Sequence, residues 1–163
     1  STALTCYVMG LGTVLYFIGA SRSSAAIIDQ QKKNTSSGNE KAIEAMHKIK
    51  QSAIDTKLAL LKGDVGEFAR ILGEGWENKK KMAGAITNPM IQEAFDVATG
   101  AGAMAGKVSG AGGGGFIMFV VEPTRKEEVV RALNNLNGFV MPFQFIDDGA
   151  HGWKIYSTDK VQK

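Results

Sequence analysis

Residues 107–119 read KVSGAGGGGFIMF, a glycine run that passes straight into large apolar residues. Glycine loses more backbone freedom on ordering than any other residue, so a run of this density requires a reason. On its C-terminal side, FIMFVV at 116–121 is short, apolar and bounded by Pro123, the pattern of a strand buried inside a sheet. On its N-terminal side, Thr87-Asn88-Pro89 starts a helix, with Asn88 as cap and Pro89 at the first helical position. Ile91, Ala94, Phe95 and Ala98 form the buried face of that helix. The segment 100–115 is therefore expected to be an ordered loop between a helix and a central strand.

That order excludes the familiar phosphate loops. GAGGGG at 110–115 has the spacing of a dinucleotide fingerprint, but the fingerprint needs a strand before it and a helix after it. GAMAGKV at 102–108 has one residue too few between its glycines for a Walker A loop, and Val108 stands where Ser or Thr is required. A free linker is excluded because Lys107, Val108 and Ser109 break the composition and core elements flank the run. Two readings remain. The glycines either permit a tightly packed crossover, or form a nest whose N–H groups converge on a phosphate, with Lys107 and Ser109 at its rim.

Working outward, residues 3–20 carry no charge and are long enough to be tested as a membrane span. Gly10-Leu11-Gly12 interrupts them between runs rich in Val, Tyr and Phe, which predicts a buried hairpin with strands at about 3–9 and 13–18. Ser21 is placed to cap a short helix through Ala25 to Ile28, and the polar stretch 30–39 reads as a loop. Ser37 and Glu40 have capping-box spacing, followed by Ile43, Met46, Ala53, Ile54, Leu58 and Leu61 on one helical face. Gly63 ends that helix. Asp64 and Glu67 form a second box, with Phe68, Ile71, Leu72 and Trp76 as the apolar stripe. Lys79, Lys80 and Lys81 read as a solvated helix end whose cations favour the dipole.

Beyond the central strand, Thr124 and Glu127 are expected to cap a helix burying Val129, Val130, Leu133 and Leu136, with Gly138 as its stop. Residues 139–146 and 153–156 read as two further strands, with Trp153 in the core beside Phe116, Phe119 and Leu133. The fold class is α+β, a mainly antiparallel sheet with helices packed on one face, in a single domain over 1–163.

Composition narrows the chemistry. Hydrophobic residues at 44% and charged residues at 21% are values of a folded globular chain. A net charge of +3 suits an anionic small molecule as well as a nucleic acid. The lone Cys6 leaves no internal disulfide, fits a cytoplasmic setting, and reads as a buried, inert thiol. His47 and His151, without nearby cysteines, have no zinc-ligand spacing, so no metal ligand set is expected.

The stretch KVSGAGGGGFIMFVVEP resembles the third conserved motif of the kinases named for galactokinase, homoserine kinase, mevalonate kinase and phosphomevalonate kinase. With LYFIGASRSSAAIIDQQ and FARILGEGWENKKKMAGAITNPMIQEAFDVA it is similar to the sugar-kinase branch acting on D-glycero-D-manno-heptose 7-phosphate. The resemblance runs from about Val14 to Tyr156. It implies a ferredoxin-like C-terminal kinase domain, ATP with Mg²⁺ as cofactors, and a sugar phosphate as substrate, without a nucleic-acid or membrane partner. It also implies a separate N-terminal domain, because the phosphate loop of the Pro-x-x-x-Gly-Leu-Gly-Ser-Ser-Ala type and the acidic residue beside the accepting hydroxyl have no counterpart here. GLGTVLYF at 10–17 lacks the Ser-Ser-Ala and opens no helix.

By that resemblance Lys107, Ser109, Gly110, Ala111, Gly112, Gly113, Gly114 and Gly115 shape the nucleotide site. Ser21 and Arg22 face the sugar phosphate, a contact suited to a guanidinium. No catalytic residue is expected within this chain, which alone would be inactive. The competing class is a non-catalytic α+β module that binds an anion or RNA. Against it, the C-terminal strands do not interleave basic and aromatic residues.

Overall fold

The computed structural model describes residues 9–19, 24–82, 86–109, 114–146 and 148–153. Four strands form one sheet: β1 (Thr13–Phe17), β2 (Ala103–Val108), β3 (Phe116–Val121) and β4 (Phe139–Met141), in the order β2-β3-β1-β4. Each adjacent pair is antiparallel, with Thr13 opposite Val120, Phe17 opposite Phe139 and Val108 opposite Ile117. It follows that β1 runs parallel to β2 and β3 runs parallel to β4, each pair separated by one strand. Two split βαβ units are thus interleaved, the ferredoxin-like arrangement. The helices are α1 (Ser24–Ser36), α2 (Glu40–Lys62), α3 (Val65–Met82), α4 (Pro89–Ala101) and α5 (Lys126–Asn134).

Strand alternation assigns the packing. Val14 and Tyr16 of β1, Ile18 just past its end, and Ile117, Phe119 and Val121 of β3 share one buried cluster with Ile91, Ala94 and Ala98 of α4 and Val129 and Leu133 of α5. The two helices of the ferredoxin-like core therefore cover one face of the sheet, but the expectation that the helices keep to one face is corrected by α2 and α3. Val120 and Met118, pointing the other way, meet Phe68, Ala69, Ile71 and Leu72 of α3 and Ala59 of α2. The inserted α2–α3 hairpin thus covers the β2–β3 half of the second face. Over β1 and β4 that face carries Phe17, Phe116 and Phe139, with ring centroids 4.9 and 5.3 Å from Phe17.

Several helix boundaries follow the sequence signals. Asn88 accepts from the Ile91 N–H at 3.0 Å with Pro89 just inside the helix. Asp64 accepts from the Glu67 N–H at 2.9 Å, although the Glu67 carboxylate turns to Arg70 instead of closing the box. Gly63 closes α2 in a left-handed conformation. The Glu44–Lys48 pair forms at 2.6 Å.

Other expectations are corrected. The glycine turn expected at 10–12 is not formed: residues 9–11 are helical, and the edges of β1 are taken by β3 and β4. Residues 3–8 lie outside the described residues. The polar stretch 30–39 is helical as far as Ser36, where Asn34 donates to the Met82 carbonyl at 2.8 Å and ties α1 to the end of α3. The cap of α2 is Asn39, accepting from the Ala42 N–H at 3.1 Å, and Ser37 lies in the turn before it. On α2 the buried residues are Ala42, Ala45 and Ala59, while Met46, Ala53, Ile54, Leu58 and Leu61 are exposed. Small side chains allow α2 to lie close on α3, which turns the larger stripe outward.

The largest correction is β2. Residues 103–108 form a strand, so the glycine segment joins two antiparallel strands and does not follow a helix directly. Pro123 opens a 3-10 turn, and Arg125, not Thr124, occupies the cap position of α5 without a side-chain bond. That helix ends at Asn134, ahead of Gly138. Gly138 has another reason: its N–H donates to the Tyr16 hydroxyl at 2.9 Å, and an added Cβ would collide with the Phe17 carbonyl and the Tyr16 ring. The strand expected at 139–146 stops at Met141, where Pro142 offers no N–H to continue the ladder. Trp153 is 81% exposed and outside any strand, so it is no core residue.

Candidate functional site

The glycine segment closes a β2–β3 connection whose stem is tied on both sides. At its base the Ser109 N–H donates to the Phe116 carbonyl at 2.8 Å, continuing the ladder by one step. The Ile18 N–H donates to the Gly115 carbonyl at 3.0 Å, joining the end of β1 to the same stem. Gly115 has φ +85°, a left-handed conformation that side-chain-bearing residues adopt at a cost, and no atom of the described residues lies within 4 Å of where its Cβ would be. Beneath the stem, Gly106 leaves room for Phe119: an added Cβ would stand 2.6 Å from the Phe119 ring and 3.0 Å from that of Phe95. Phe95 in turn stacks on Trp76 at 5.6 Å.

Of the residues singled out in the sequence, Lys107, Ser109, Gly114 and Gly115 belong to this stem. Gly110, Ala111, Gly112 and Gly113 lie outside the described residues, as do Ser21 and Arg22. The described ends leading toward both groups, Ile18–Gly19 and Gly114–Gly115, run side by side through the Ile18–Gly115 bond.

Lys107 does not reach out over the stem into open solvent. Opposite Met118 in register, it points to the second face and lines a cleft of about 220 Å³ between α2, α3 and β2. The walls are Ile49, Ser52, Ala53 and Thr56 from α2, with Ile71, Leu72, Gly75, Trp76 and Lys79 from α3. Lys79 is half-buried there. Burial, and then the neighbouring Lys107 ammonium, hold its amine below the ordinary lysine range. The reading of Lys79–Lys81 as a solvated helix end is therefore corrected for Lys79; Lys81 is exposed, and Lys80 pairs with Glu77 at 2.7 Å. The signal was in the spacing. Lys79 lies three residues after Trp76 and seven after Leu72, on the continuation of the buried stripe.

Among the described residues, no three His, Cys, Asp or Glu side chains gather into a group able to hold a metal ion. Nor is any helix among them long and apolar enough to cross a membrane.

Interleaved split βαβ units, a helical hairpin inserted after β1 and a glycine-rich β2–β3 connection define a ferredoxin-like α+β domain of kinase type. The chain belongs to the GHMP kinase family: the model of the GHMP kinases C terminal matches residues 56–137, a span that includes the whole glycine segment. It is 41% identical over 143 residues to the D-glycero-alpha-D-manno-heptose 7-phosphate kinase of Campylobacter jejuni, covering 88% of this chain and 42% of that protein. A crystal structure of a D-glycero-D-manno-heptose 1-phosphate kinase from Bacteroides thetaiotaomicron is 67% identical, with a TM-score of 0.63 over 95% of this chain and 39% of that one. The mevalonate kinase of L. major in complex with R-mevalonate shares the fold at 16% identity, with a TM-score of 0.69 over 76% of this chain and 37% of that one. The chain spans about two fifths of the length of these relatives.

Proposed function

We propose that this chain is the C-terminal part of an ATP-dependent sugar-phosphate kinase acting in the cytoplasm. The reaction would carry the γ-phosphoryl of ATP to the anomeric hydroxyl of D-glycero-D-manno-heptose 7-phosphate. The new bond joins the anomeric oxygen to phosphorus, the bond from phosphorus to the β–γ bridging oxygen breaks to leave ADP, and the hydroxyl proton passes to a base. The product is the 1,7-bisphosphate. The observation that carries this reading is the 41% identity over 143 residues to a kinase named for the 7-phosphate.

Phosphoryl transfer depends mainly on positioning and on stabilising charge spread over the equatorial oxygens. Residues 109–115 would supply backbone N–H groups close to the nucleotide phosphates, where the absence of side chains lets phosphate and main chain approach. The hydrogen bonds from Ser109 to Phe116 and from Ile18 to Gly115 support this role, because they anchor the stem to β3 and β1. Ser21 and Arg22, just beyond the Ile18–Gly115 bond, would face the sugar phosphate. The phosphate loop and the base would come from a preceding domain. Mg²⁺ would accompany ATP; among the described residues no three His, Cys, Asp or Glu side chains gather into a site for it.

The test is phosphorus NMR of the intact kinase with ATP and either heptose 7-phosphate or heptose 1-phosphate. A new anomeric phosphate on the 7-phosphate, with ADP released one for one, is the expected result. Turnover of the 1-phosphate alone would replace the proposed acceptor, and turnover of neither would overturn the reading. In the same enzyme, Gly113→Val should lower kcat/KM for ATP by on the order of a hundredfold, the effect of a misplacement of about 1 Å at the reacting groups. Thermal unfolding of the variant should change little by comparison; near-normal kinetics would reduce the loop to a packing crossover.

A further inference from the structure

The α2–α3 hairpin encloses a second cavity at the end away from its Gly63–Asp64 turn. It measures about 380 Å³ and shares no residue with the glycine stem or with the cleft that Lys107 lines. Lys41, Glu44, Ala45 and Lys48 line it from α2, at spacings of three and four that place them on one ridge. Asn78 and Lys81, three residues apart, line it from α3. Three ammonium groups thus surround one carboxylate among the described residues. That carboxylate is already engaged: Glu44 bonds Lys48 at 2.6 Å, and Lys48, then Lys81, hold its carboxyl below the usual range. Lys41 and Lys81 are left with no carboxylate of their own in the cavity. Asn78 adds an independent observation. It is 9% exposed, yet its side-chain amide makes no hydrogen bond among the described residues. An amide that has lost water without gaining a partner opposes folding, and native structures rarely keep one without a use. Because Asn78 lines the cavity, an occupant can supply the missing bonds.

We infer that Lys41, Asn78 and Lys81 form a binding site for a small sugar phosphate, separate from the glycine loop. The two lysines take the charge of the phosphate through charge-assisted hydrogen bonds. Asn78 offers both N–H donors and a carbonyl acceptor, and the second carboxylate oxygen of Glu44 is a further acceptor. A phosphate dianion has a single hydroxyl to give those acceptors, whereas a sugar phosphate brings several. Size agrees with this choice: about 380 Å³ falls within the roughly 300–1,000 Å³ of small-molecule sites. The lysines and Glu44 are exposed, so the attraction is screened and binding weakens as salt is raised. An occupant would bridge the start of α2 to the end of α3, where the hairpin has no turn to join its arms.

The experiment titrates the 163-residue chain with heptose 7-phosphate, unphosphorylated heptose and inorganic phosphate, at ionic strength matched with sodium chloride, and follows amide shifts by NMR. Heptose 7-phosphate should give saturable shifts at residues 41–48 and 78–81, with an affinity at least tenfold above that of inorganic phosphate. Unphosphorylated heptose should give none there. Lys81→Gln and Asn78→Ala should each weaken the sugar phosphate at least tenfold, and Lys81→Arg should retain it. Lys81 is exposed, so its variants test the site without disturbing the core. Equal affinities for inorganic phosphate and heptose 7-phosphate, shifts confined to other residues, no saturable shift, or unchanged binding by Lys81→Gln would each overturn the inference. The readout needs neither ATP nor turnover, so this site and the kinase reaction fail independently.

Discussion

Two glycines flanking the loop stem are kept for different reasons, and substitution separates them. Gly106→Ala puts a methyl into the Phe119 and Phe95 rings, neither of which can yield, because Phe95 is stacked on Trp76. We expect a loss of about 1–3 kcal/mol in urea unfolding, the range for overpacking a filled core. Gly115→Ala meets no atom of the described residues and carries the left-handed backbone penalty of about 1–2 kcal/mol, so Gly115→Asn should be milder still. Lys79 gives a pH prediction. Its folded-state affinity for protons is lowered by burial and by Lys107, so the unfolded chain binds more protons in the range below the ordinary lysine value. Stability should therefore rise with pH as the solution approaches pH ~10, and the rise should shrink in Lys79→Gln, measured as thermal midpoints across that range. The sequence showed that glycine was needed along this segment. It could not show which glycine faces a ring and which faces open space, because that depends on a cross-strand neighbour. Nor could it show that α2 lies over Lys79 and removes it from water.

Among the elements, those with strong local signals were legible and those defined by pairing were not. The starts of α3 and α4 and the end of α2 follow from Asp64, Asn88-Pro89 and Gly63, each of which acts on its own backbone neighbours. At α2 the capping-box pattern pointed two residues early, to Ser37, while Asn39 makes the bond. Asn39→Ala should accordingly cost about 0.5–2 kcal/mol, and Ser37→Ala close to nothing, in thermal melts followed by circular dichroism. Strand β2 escaped notice because AMAGKV is poor in β-branched and aromatic residues. It is a strand because β3 offers a free edge and its small residues fit beneath Phe119. The glycine turn expected before β1 went wrong for a complementary reason: Gly10 and Gly12 look like a hairpin turn, but residues 9–11 are helical and both edges of β1 are occupied.

For the molecule as a whole, the α+β class and the central position of β3 were readable from periodicity, whereas the helices, expected on one face, cover both. The placement of the inserted hairpin was not readable, because the buried residues of α2 are alanines and its exposed Ile54, Leu58 and Leu61 carry the stronger hydrophobic signal. On the proposed division of roles, in which this chain supplies one wall of the nucleotide site and the base comes from another domain, the purified chain is expected to show no ATP-dependent turnover of heptose 7-phosphate in a coupled ADP assay. Clear turnover would contradict the proposed division of roles between two domains. The pairing of β1 with β3 has a further consequence during synthesis. Thr13 finds its partner Val120 only after the intervening helical block and β2 have been made. At the ribosome's pace of about 5–20 residues per second, β1 waits roughly 5–20 s with both edges bare. The nascent chain is therefore exposed to aggregation through TVLYF in that interval, and the sheet can assemble only once β3 and β4 have been made.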